Sequence, residues 1–155
     1  GEDVLHDHFA ADSQRGWPAA PVMPNTLIIE GMAQTAGILV GHANDFSQKV
    51  ILAKISKATF TAAALPGHSL RYTATLERLD EAGASTNGHV DRIDPGTMQV
   101  QRLAQIELMF SHIDQNRAGL ELPDHNFVFT SQFMDLLRQS GYEVASVPPS
   151  PRRNS

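Results

Sequence analysis

A nearly uncharged stretch of nineteen residues, from Pro24 to His42, constrains the fold more than any other part of the sequence. Its residues are compatible with a helix, and Glu30 is its only carboxylate. A helix that is apolar on almost every side is usually buried, so we expect the other elements to pack around it. A buried carboxylate is costly unless it is neutral, paired or hydrogen-bonded, which makes Glu30 the first candidate for chemistry.

The start of this helix and one of its faces can be predicted in more detail. Pro24 is tolerated at the first position, and Asn25 or Thr26 is expected to cap the first turn. Spacings of three and four residues place four side chains on one face: Leu27, Glu30, Gln34 and Ile38.

Four strand patterns follow the helix, over residues 50–63, 68–80, 85–93 and 98–113. Turn signals between them, such as Asp94-Pro95-Gly96, favour antiparallel pairing because the connections are short. Alternation in the second and fourth strands assigns these apolar residues to one face: Leu70, Tyr72, Ala74 and Leu76, then Val100, Ala104, Ile106, Leu108 and Phe110. The sequence therefore predicts an α+β domain in which an antiparallel sheet packs on the helix.

The remaining segments complete one predicted domain over residues 1–145. Residues 1–23 are expected to form an irregular lead-in loop, and residues 114–145 a C-terminal extension with a short amphipathic helix over 131–140. Residues 146–155 are expected to be a disordered tail. A chain of 155 residues is long enough for a single core.

Composition excludes several classes of function. The net charge is −5, and scattered Lys and Arg argue against nucleic-acid binding. The absence of cysteine excludes disulfides and thiolate catalysis and is compatible with the cytoplasmic location that we expect. Glu30, Gln34 and three glycines interrupt the longest apolar stretch, so no membrane span is predicted.

Two segments resemble a known family. His8-Phe9 and the string PVMPNTLIIEGMAQ at 21–34 are similar to HFPGxPxMPGVLIIEAMAQ, the active-site segment of the β-hydroxyacyl-acyl carrier protein dehydratases. The later Ala58-Thr59-Phe60 and the string LPGHSL at 65–70 resemble the family's KxRFRxPVxPGDxL stretch. The resemblance covers residues 6 to about 113 and implies the hot-dog fold, a long helix wrapped by a curved antiparallel sheet and paired into dimers.

The resemblance also implies a reaction and a set of site residues. The family dehydrates a 3-hydroxyacyl thioester to the trans-2-enoyl thioester in fatty acid biosynthesis, on acyl carrier protein or coenzyme A, without a cofactor. By position, His8 matches the catalytic base and Glu30 the catalytic acid, and Gln34, one turn on, is placed to orient Glu30. Phe9, Gly16 and Met23 are expected to bind or orient the substrate. In the family, the histidine and the acid of one site come from different protomers.

Other interpretations of these residues stay open. Glu30 could be a structural acid bonded to backbone groups. The pair His6 and His8 could bind a metal, but no third ligand has convincing spacing, so no metal site is predicted. Basic residues are candidates for a rim that docks an acidic carrier protein: Arg15, Lys54, Lys57 and Arg71.

The departures from the family pattern favour two rival functions. Ala10-Ala11 and a loop over residues 12–20 replace the family's Pro-Gly, which helps to form the oxyanion hole. A non-catalytic acyl-binding module is therefore one alternative, and a hot-dog thioesterase is another, because one fold hosts both chemistries. For an enzyme we expect an apolar tunnel lined by the helix and by strands 68–80 and 98–113. The stripe of Phe133, Leu136 and Leu137 is interpreted as simple packing outside that tunnel.

Overall fold

The computed structural model describes Gln14, residues 22–113 and residues 129–142. The first helix, α1, spans Asn25–Ala43. Four strands follow it: β1 (Lys49–Phe60), β2 (Ser69–Asp80), β3 (Gly83–Ile93) and β4 (Val100–Ile113). A short second helix, α2, spans Ser131–Gln139. These six elements confirm the predicted order of helix, four strands and helix. The predicted lead-in loop, the segment 114–128 and the tail 146–155 lie outside the described residues, apart from Gln14, Val22 and Met23.

The four strands form one antiparallel sheet in the order β1-β4-β3-β2. In the register of the first pair, Leu52 lies opposite Phe110, and β1 carries two irregularities, between Leu52 and Lys54 and between Ile55 and Lys57. The predicted turn between β3 and β4 is present. The Asp94 carboxylate closes it by accepting hydrogen bonds from the N–H groups of Gly96, at 2.8 Å, and Thr97, at 3.1 Å.

Helix α1 lies on one face of this sheet and contributes a single buried stripe to the core. Its side chains at four-residue spacing are fully enclosed: Ile28, Met32, Ala36 and Val40. The predicted alternation of β2 is confirmed, since Leu70, Tyr72, Ala74 and Leu76 all pack against the core. In β4 the alternation holds for Ala104, Ile106, Leu108 and Phe110, which are buried.

A glycine in β3 lets the helix approach the sheet closely. A Cβ atom on Gly88 would fall 2.3 Å from the Sδ atom of Met32 and 3.1 Å from the carbonyl oxygen of Thr73. Only a residue without a side chain leaves room for Met32 at this point. The position of α1 on the sheet is therefore set by the pairing of Met32 with Gly88.

Three details of the prediction are wrong. Helix α1 is not buried on all sides, because the sheet covers only one stripe of it and Glu30, Gln34 and neighbouring positions stay accessible. Val100 is 55% exposed, and a shift in the β3–β4 register, where Val90 pairs with Ala104 but Asp91 with Arg102, interrupts the alternation between it and Ala104. Pro24 is the residue that precedes α1, and no side chain caps the first turn. Within the described ranges, no helix combines the length and the apolar character needed to cross a membrane.

Candidate active site

A cavity of about 430 Å³ lies beside the open face of α1. Five of its lining residues come from successive turns of that helix, and the others come from β1, β4, the segment leading into α2 and α2 itself: Glu30, Ala33, Gln34, Gly37, Ile38, Val50, Leu52, Phe110, Phe129 and Phe133. The volume falls in the range typical of small-ligand sites, and such sites combine apolar walls with a few polar groups. This cavity has that composition.

The polar groups of the cavity lie at one end. Gln34 Nε2 donates a hydrogen bond of 3.0 Å to Glu30 Oε1, across one turn of α1. The bond holds one carboxylate oxygen and leaves the second oxygen accessible to solvent or to a ligand. These are the only side chains with a carboxylate or an amide among those that line the cavity. The contact predicted between Gln34 and Glu30 is therefore present in the structure.

The opposite end of the cavity is closed by aromatic rings. Phe129 packs on the C-terminal end of α1, where a Cβ atom on Gly41 would fall 2.5 Å from its Cζ atom. Its ring contacts those of Phe46, at a centroid distance of 4.9 Å, and Phe133, at 5.8 Å. Gly41 follows Glu30 by eleven residues, so about 16 Å of helix axis separates the carboxylate from this aromatic cluster. The cavity is polar at one end and apolar at the other.

Apolar side chains from the helix and the sheet line the middle of the cavity. Gly37 faces Phe110, and a Cβ atom on this glycine would lie 3.6 Å from Cε1 of the ring, an ordinary contact distance. Leu52 sits beside Phe110 in the sheet register. The walls on both sides are thus aliphatic or aromatic, and they suit an acyl chain better than a polar ligand.

Another side chain near the polar end is Tyr72 of β2. A Cβ atom on Gly31 would fall 2.6 Å from the Cζ atom of Tyr72, so the phenol ring lies directly against the helix turn that carries Glu30. Burial raises the pKa of Tyr72 above its usual value of 10.0. The phenol is therefore neutral at physiological pH, and its ring packs between β2 and the Gly31 turn of α1.

The other predicted site residues are distributed as follows. His8, Phe9 and Gly16 lie outside the described residues, as does the possible metal pair His6 and His8. Met23 packs against the core, and its N–H donates a 3.0 Å hydrogen bond to the carbonyl oxygen of Ala64. It does not line the cavity. Within the described part of the chain, no group of three or more His, Asp or Glu side chains could hold a metal ion.

Several expectations about the site are corrected by the structure. Glu30 is exposed in the single chain, not buried, because the sheet packs on the Ile28–Met32 side of the helix. The cavity uses Phe110 of the fourth strand, but β1 replaces the second strand as its other wall, since β1 and β4 are neighbours. The basic residues proposed as a rim are divided, because Lys54 and Lys57 lie on β1 and Arg71 on β2, at opposite edges of the sheet.

The C-terminal stripe also behaves differently from the prediction. Phe133 lines the cavity, Leu137 packs against the core, and Leu136 is 60% exposed. No local pattern connects this helix with the site, because the contact joins residues almost a hundred positions apart. The pairing of Gly41 with Phe129 is the local feature that brings the two segments together.

Strand β1 is the exposed edge of the described sheet. Only its first two residues, Lys49 and Val50, are buried, and the rest of the strand is largely accessible. Three large apolar side chains are among the exposed ones: Ile51 at 36%, Leu52 at 39% and Ile55 at 44%. An apolar edge strand of this length is a surface that proteins usually cover or pair.

The fold and the cavity together define the class. It is an α+β domain in which a long helix lies on a curved antiparallel sheet, beside a cavity with mostly apolar walls. A family model described as FabA-like domain matches residues 14–93, just over half of the chain. The chain belongs to this family, which confirms the resemblance drawn from the LIIE and MAQ strings.

Curated relatives extend the match at the sequence level. A 3-hydroxyacyl-[acyl-carrier-protein] dehydratase FabZ from Chlamydia pneumoniae is 33% identical over 102 residues, which cover 64% of this chain and 63% of that protein. The enzyme of the same name from Magnetococcus marinus is 42% identical over 66 residues, covering 41% of this chain and 43% of its own length. The chain thus spans less than two thirds of the relatives it matches.

Solved structures confirm the hot-dog fold. An acyl-CoA hydrolase from Agrobacterium tumefaciens superposes with a TM-score of 0.56 at 19% identity, over 63% of this chain and 38% of that chain. A hexameric thioesterase from Yersinia pestis gives a TM-score of 0.55 at 13% identity, over 61% of this chain and 79% of its own. At such low identity the likeness concerns the fold alone.

Proposed function

We propose that the protein dehydrates a 3-hydroxyacyl thioester to the trans-2-enoyl thioester in fatty acid biosynthesis. The observation that carries this proposal is the cavity beside α1, with the Glu30 carboxylate and its Gln34 partner at one end and an apolar channel beyond them. The similarity to the FabZ dehydratases supports the same reaction. The substrate is a thioester of acyl carrier protein or coenzyme A, and the enzyme acts in the cytoplasm.

In this proposal two side chains move the protons. His8, matched to the family's histidine by the motif, takes the α-proton of the substrate, because an imidazole titrates near neutrality. Glu30 in its protonated form donates a proton to the β-hydroxyl group, which departs as water as the double bond forms. The 3.0 Å hydrogen bond from Gln34 fixes one oxygen of Glu30 and directs the other toward the substrate. Gln34 is thus a positioning residue.

The negative charge that develops on the thioester oxygen also needs stabilisation. Pro24, which precedes α1, supplies no side-chain cap, although its carbonyl oxygen accepts hydrogen bonds from the N–H groups of Leu27 and Ile28. The two N–H groups at the very start of the helix, those of Asn25 and Thr26, are proposed to face the ligand. A helix amino end carries a partial positive charge, which stabilises an enolate-like oxygen. The first turn of α1 directly precedes the turn that carries Glu30, and we propose that the thioester group binds at this end of the helix. Phe9 and Gly16 are proposed to complete this end of the site.

The active form is proposed to be a homodimer in which each site takes His8 from one protomer and Glu30 from the other. The exposed apolar edge of β1 supports this arrangement, because antiparallel pairing of two copies along this strand would cover Ile51 and Ile55. The same pairing would bring a second chain alongside Leu52, at the wall of the cavity. Coverage by that chain would also desolvate the Glu30 carboxylate.

The test is hydration of a crotonyl thioester, the reverse reaction, followed by the loss of enoyl absorbance. Glu30→Gln and His8→Ala are each expected to lower the rate by at least about a hundredfold, the usual contribution of a general acid or base. Glu77→Gln is the matched control, since this exposed glutamate lies on β2 away from the cavity and its loss should leave the rate unchanged. All variants should retain the parent's circular dichroism spectrum.

The same assay separates the rival functions. Release of free thiol without loss of the enoyl group would identify a thioesterase and refute the dehydratase. Saturable thioester binding with no turnover in the parent protein would refute any enzyme and leave an acyl-binding module.

A further inference from the structure

We propose that the C-terminal segment, Phe129 with helix α2, is the floor of the acyl cavity and limits substrates to medium-length acyl chains. The inference deepens the proposed function and rests on it for the identity of the ligand as an acyl thioester. The floor itself follows from the contact of Phe129 with Gly41 of α1 and from the packing of Phe133 against Phe129. It assigns a role in specificity to a segment outside the family match at residues 14–93.

The first step of the argument is the direction in which the ligand lies. Glu30 and Gln34 form the polar end of the cavity, near the amino end of α1. The lining residues further along the helix, Gly37 and Ile38, are apolar. A ligand with a polar head and an apolar tail therefore lies parallel to α1, with its tail directed toward Gly41.

The second step is that the floor is held firmly. Phe129 is 7% exposed and lies so close over Gly41 that a Cβ atom there would force its ring to shift. The Thr130 hydroxyl accepts a 3.3 Å hydrogen bond from the N–H of Phe133 and so fixes the start of α2. Met134, with an exposure of 1%, anchors the same helix in the core. The rings that close the cavity are thus part of a packed cluster.

The third step is the length of the channel. From Glu30 to Gly41 the helix axis advances about 16 Å, at roughly 1.5 Å per residue. An extended acyl chain advances about 1.3 Å per carbon, given C–C bonds of roughly 1.5 Å. Because the ring of Phe129 itself occupies the last few ångströms, the channel accommodates about eight to ten carbons before the tail reaches Phe129 and Phe133.

The experiment measures binding of saturated acyl-pantetheine thioethers, which cannot be turned over, by titration calorimetry. The series has chains of four, eight, ten, twelve and sixteen carbons. In the parent protein each added methylene should raise the affinity by up to about fourfold until the floor is reached, and chains of twelve or more carbons should bind no better than ten. This series does not depend on catalysis.

Three variants locate the limit at Phe133. Phe133→Ala should bind the twelve-carbon ligand at least tenfold more tightly than the parent does, with the four-carbon ligand unchanged. Phe133→Trp should weaken binding of the ten-carbon ligand, an effect that mere detachment of α2 would not produce. Leu136→Ala is the matched control, because this side chain lies on the same helix and is 60% exposed. It should leave the whole series unchanged.

The outcomes distinguish this inference from the dehydratase proposal. Affinity that keeps rising to sixteen carbons in the parent, or a chain-length limit that is identical in all three Phe133 forms, would overturn the floor. The chain-length limit could also shift as expected in the Phe133 variants while the parent protein fails to hydrate the crotonyl thioester. That result would support the role of Phe133 as the floor and refute the proposed dehydratase activity.

Discussion

Replacing Gly88 by alanine should destabilise the domain, because it removes the space that Met32 occupies. The added Cβ atom would lie 2.3 Å from Met32 Sδ, about 1 Å inside the shortest ordinary contact of 3.4 Å, and 3.1 Å from the Thr73 carbonyl oxygen. Met32 is 1% exposed, so the displaced end of its side chain would have to move against other core residues and not into solvent. Overpacking of this kind costs about 1–3 kcal/mol. The lower backbone entropy of unfolded alanine offsets about 0.5–1 kcal/mol of this cost, which leaves a net loss of up to about 2.5 kcal/mol.

The assay is urea unfolding followed by circular dichroism, at one protein concentration because association would change the apparent stability. A loss of about 2 kcal/mol corresponds to a decrease in Tm of roughly 4–8 °C. The matched control is Gly37→Ala, whose Cβ atom meets only Phe110 at 3.6 Å. It should stabilise the protein by up to about 1 kcal/mol through helix propensity.

A double-mutant cycle with Met32 tests the cause. In a Met32→Ala background the conflict with the sulfur is absent and only the 3.1 Å contact with the Thr73 carbonyl oxygen remains, so Gly88→Ala should cost much less there than in the parent. A Gly88→Ala protein as stable as Gly37→Ala, or a cost that stays undiminished without the methionine side chain, would refute this account of how α1 packs on β3.

Three further predictions concern the turn, the phenol and the sheet edge. Hydrogen bonds from the N–H groups of Thr97 and Gly96 lower the pKa of Asp94 below its usual 3.8, so its contribution to stability is present above that pH and is lost as the pH falls through the lower folded value. The stability difference between parent and Asp94→Ala in urea unfolding should therefore disappear in strong acid, and a constant difference would contradict this. Tyr72 should ionise above pH 10.0 in an absorbance titration, and the free energy of unfolding should fall as the pH rises through its raised pKa. In Tyr72→Phe, the part of the absorbance change that belongs to this ionisation should be absent. Ile55→Glu on β1 should convert the proposed dimer to monomer in analytical ultracentrifugation, whereas Glu77→Gln should not.

The sequence was sufficient to predict the elements and their order, because the signals for them are local. Alternation in β2 and β4 and the turn residues around Asp94 define strands and hairpins over short distances. The face of α1 that enters the core was harder to predict. Both of its stripes contain apolar residues, and the burial of Met32 and its close approach to Gly88 become visible only in the folded chain.

The candidate site could be predicted only in part, for a related reason. Glu30 and Gln34 are one helical turn apart, so their contact follows from spacing alone. The walls of the cavity come from β1, β4 and the segment before α2, and tertiary packing brings them together. The exposure of Glu30 could not be anticipated from an apolar string, since it depends on which stripe the sheet covers.

The most direct test of the proposed two-protomer dehydratase is subunit complementation between His8→Ala and Glu30→Gln. Each variant alone should fail to hydrate a crotonyl thioester. After the two are mixed, dissociated and reassociated, half of the dimers should be mixed and each should hold one intact site, so about a quarter of the parent activity should return. A mixture that stays inactive while the labelled subunits demonstrably exchange would contradict a site shared between His8 of one chain and Glu30 of the other.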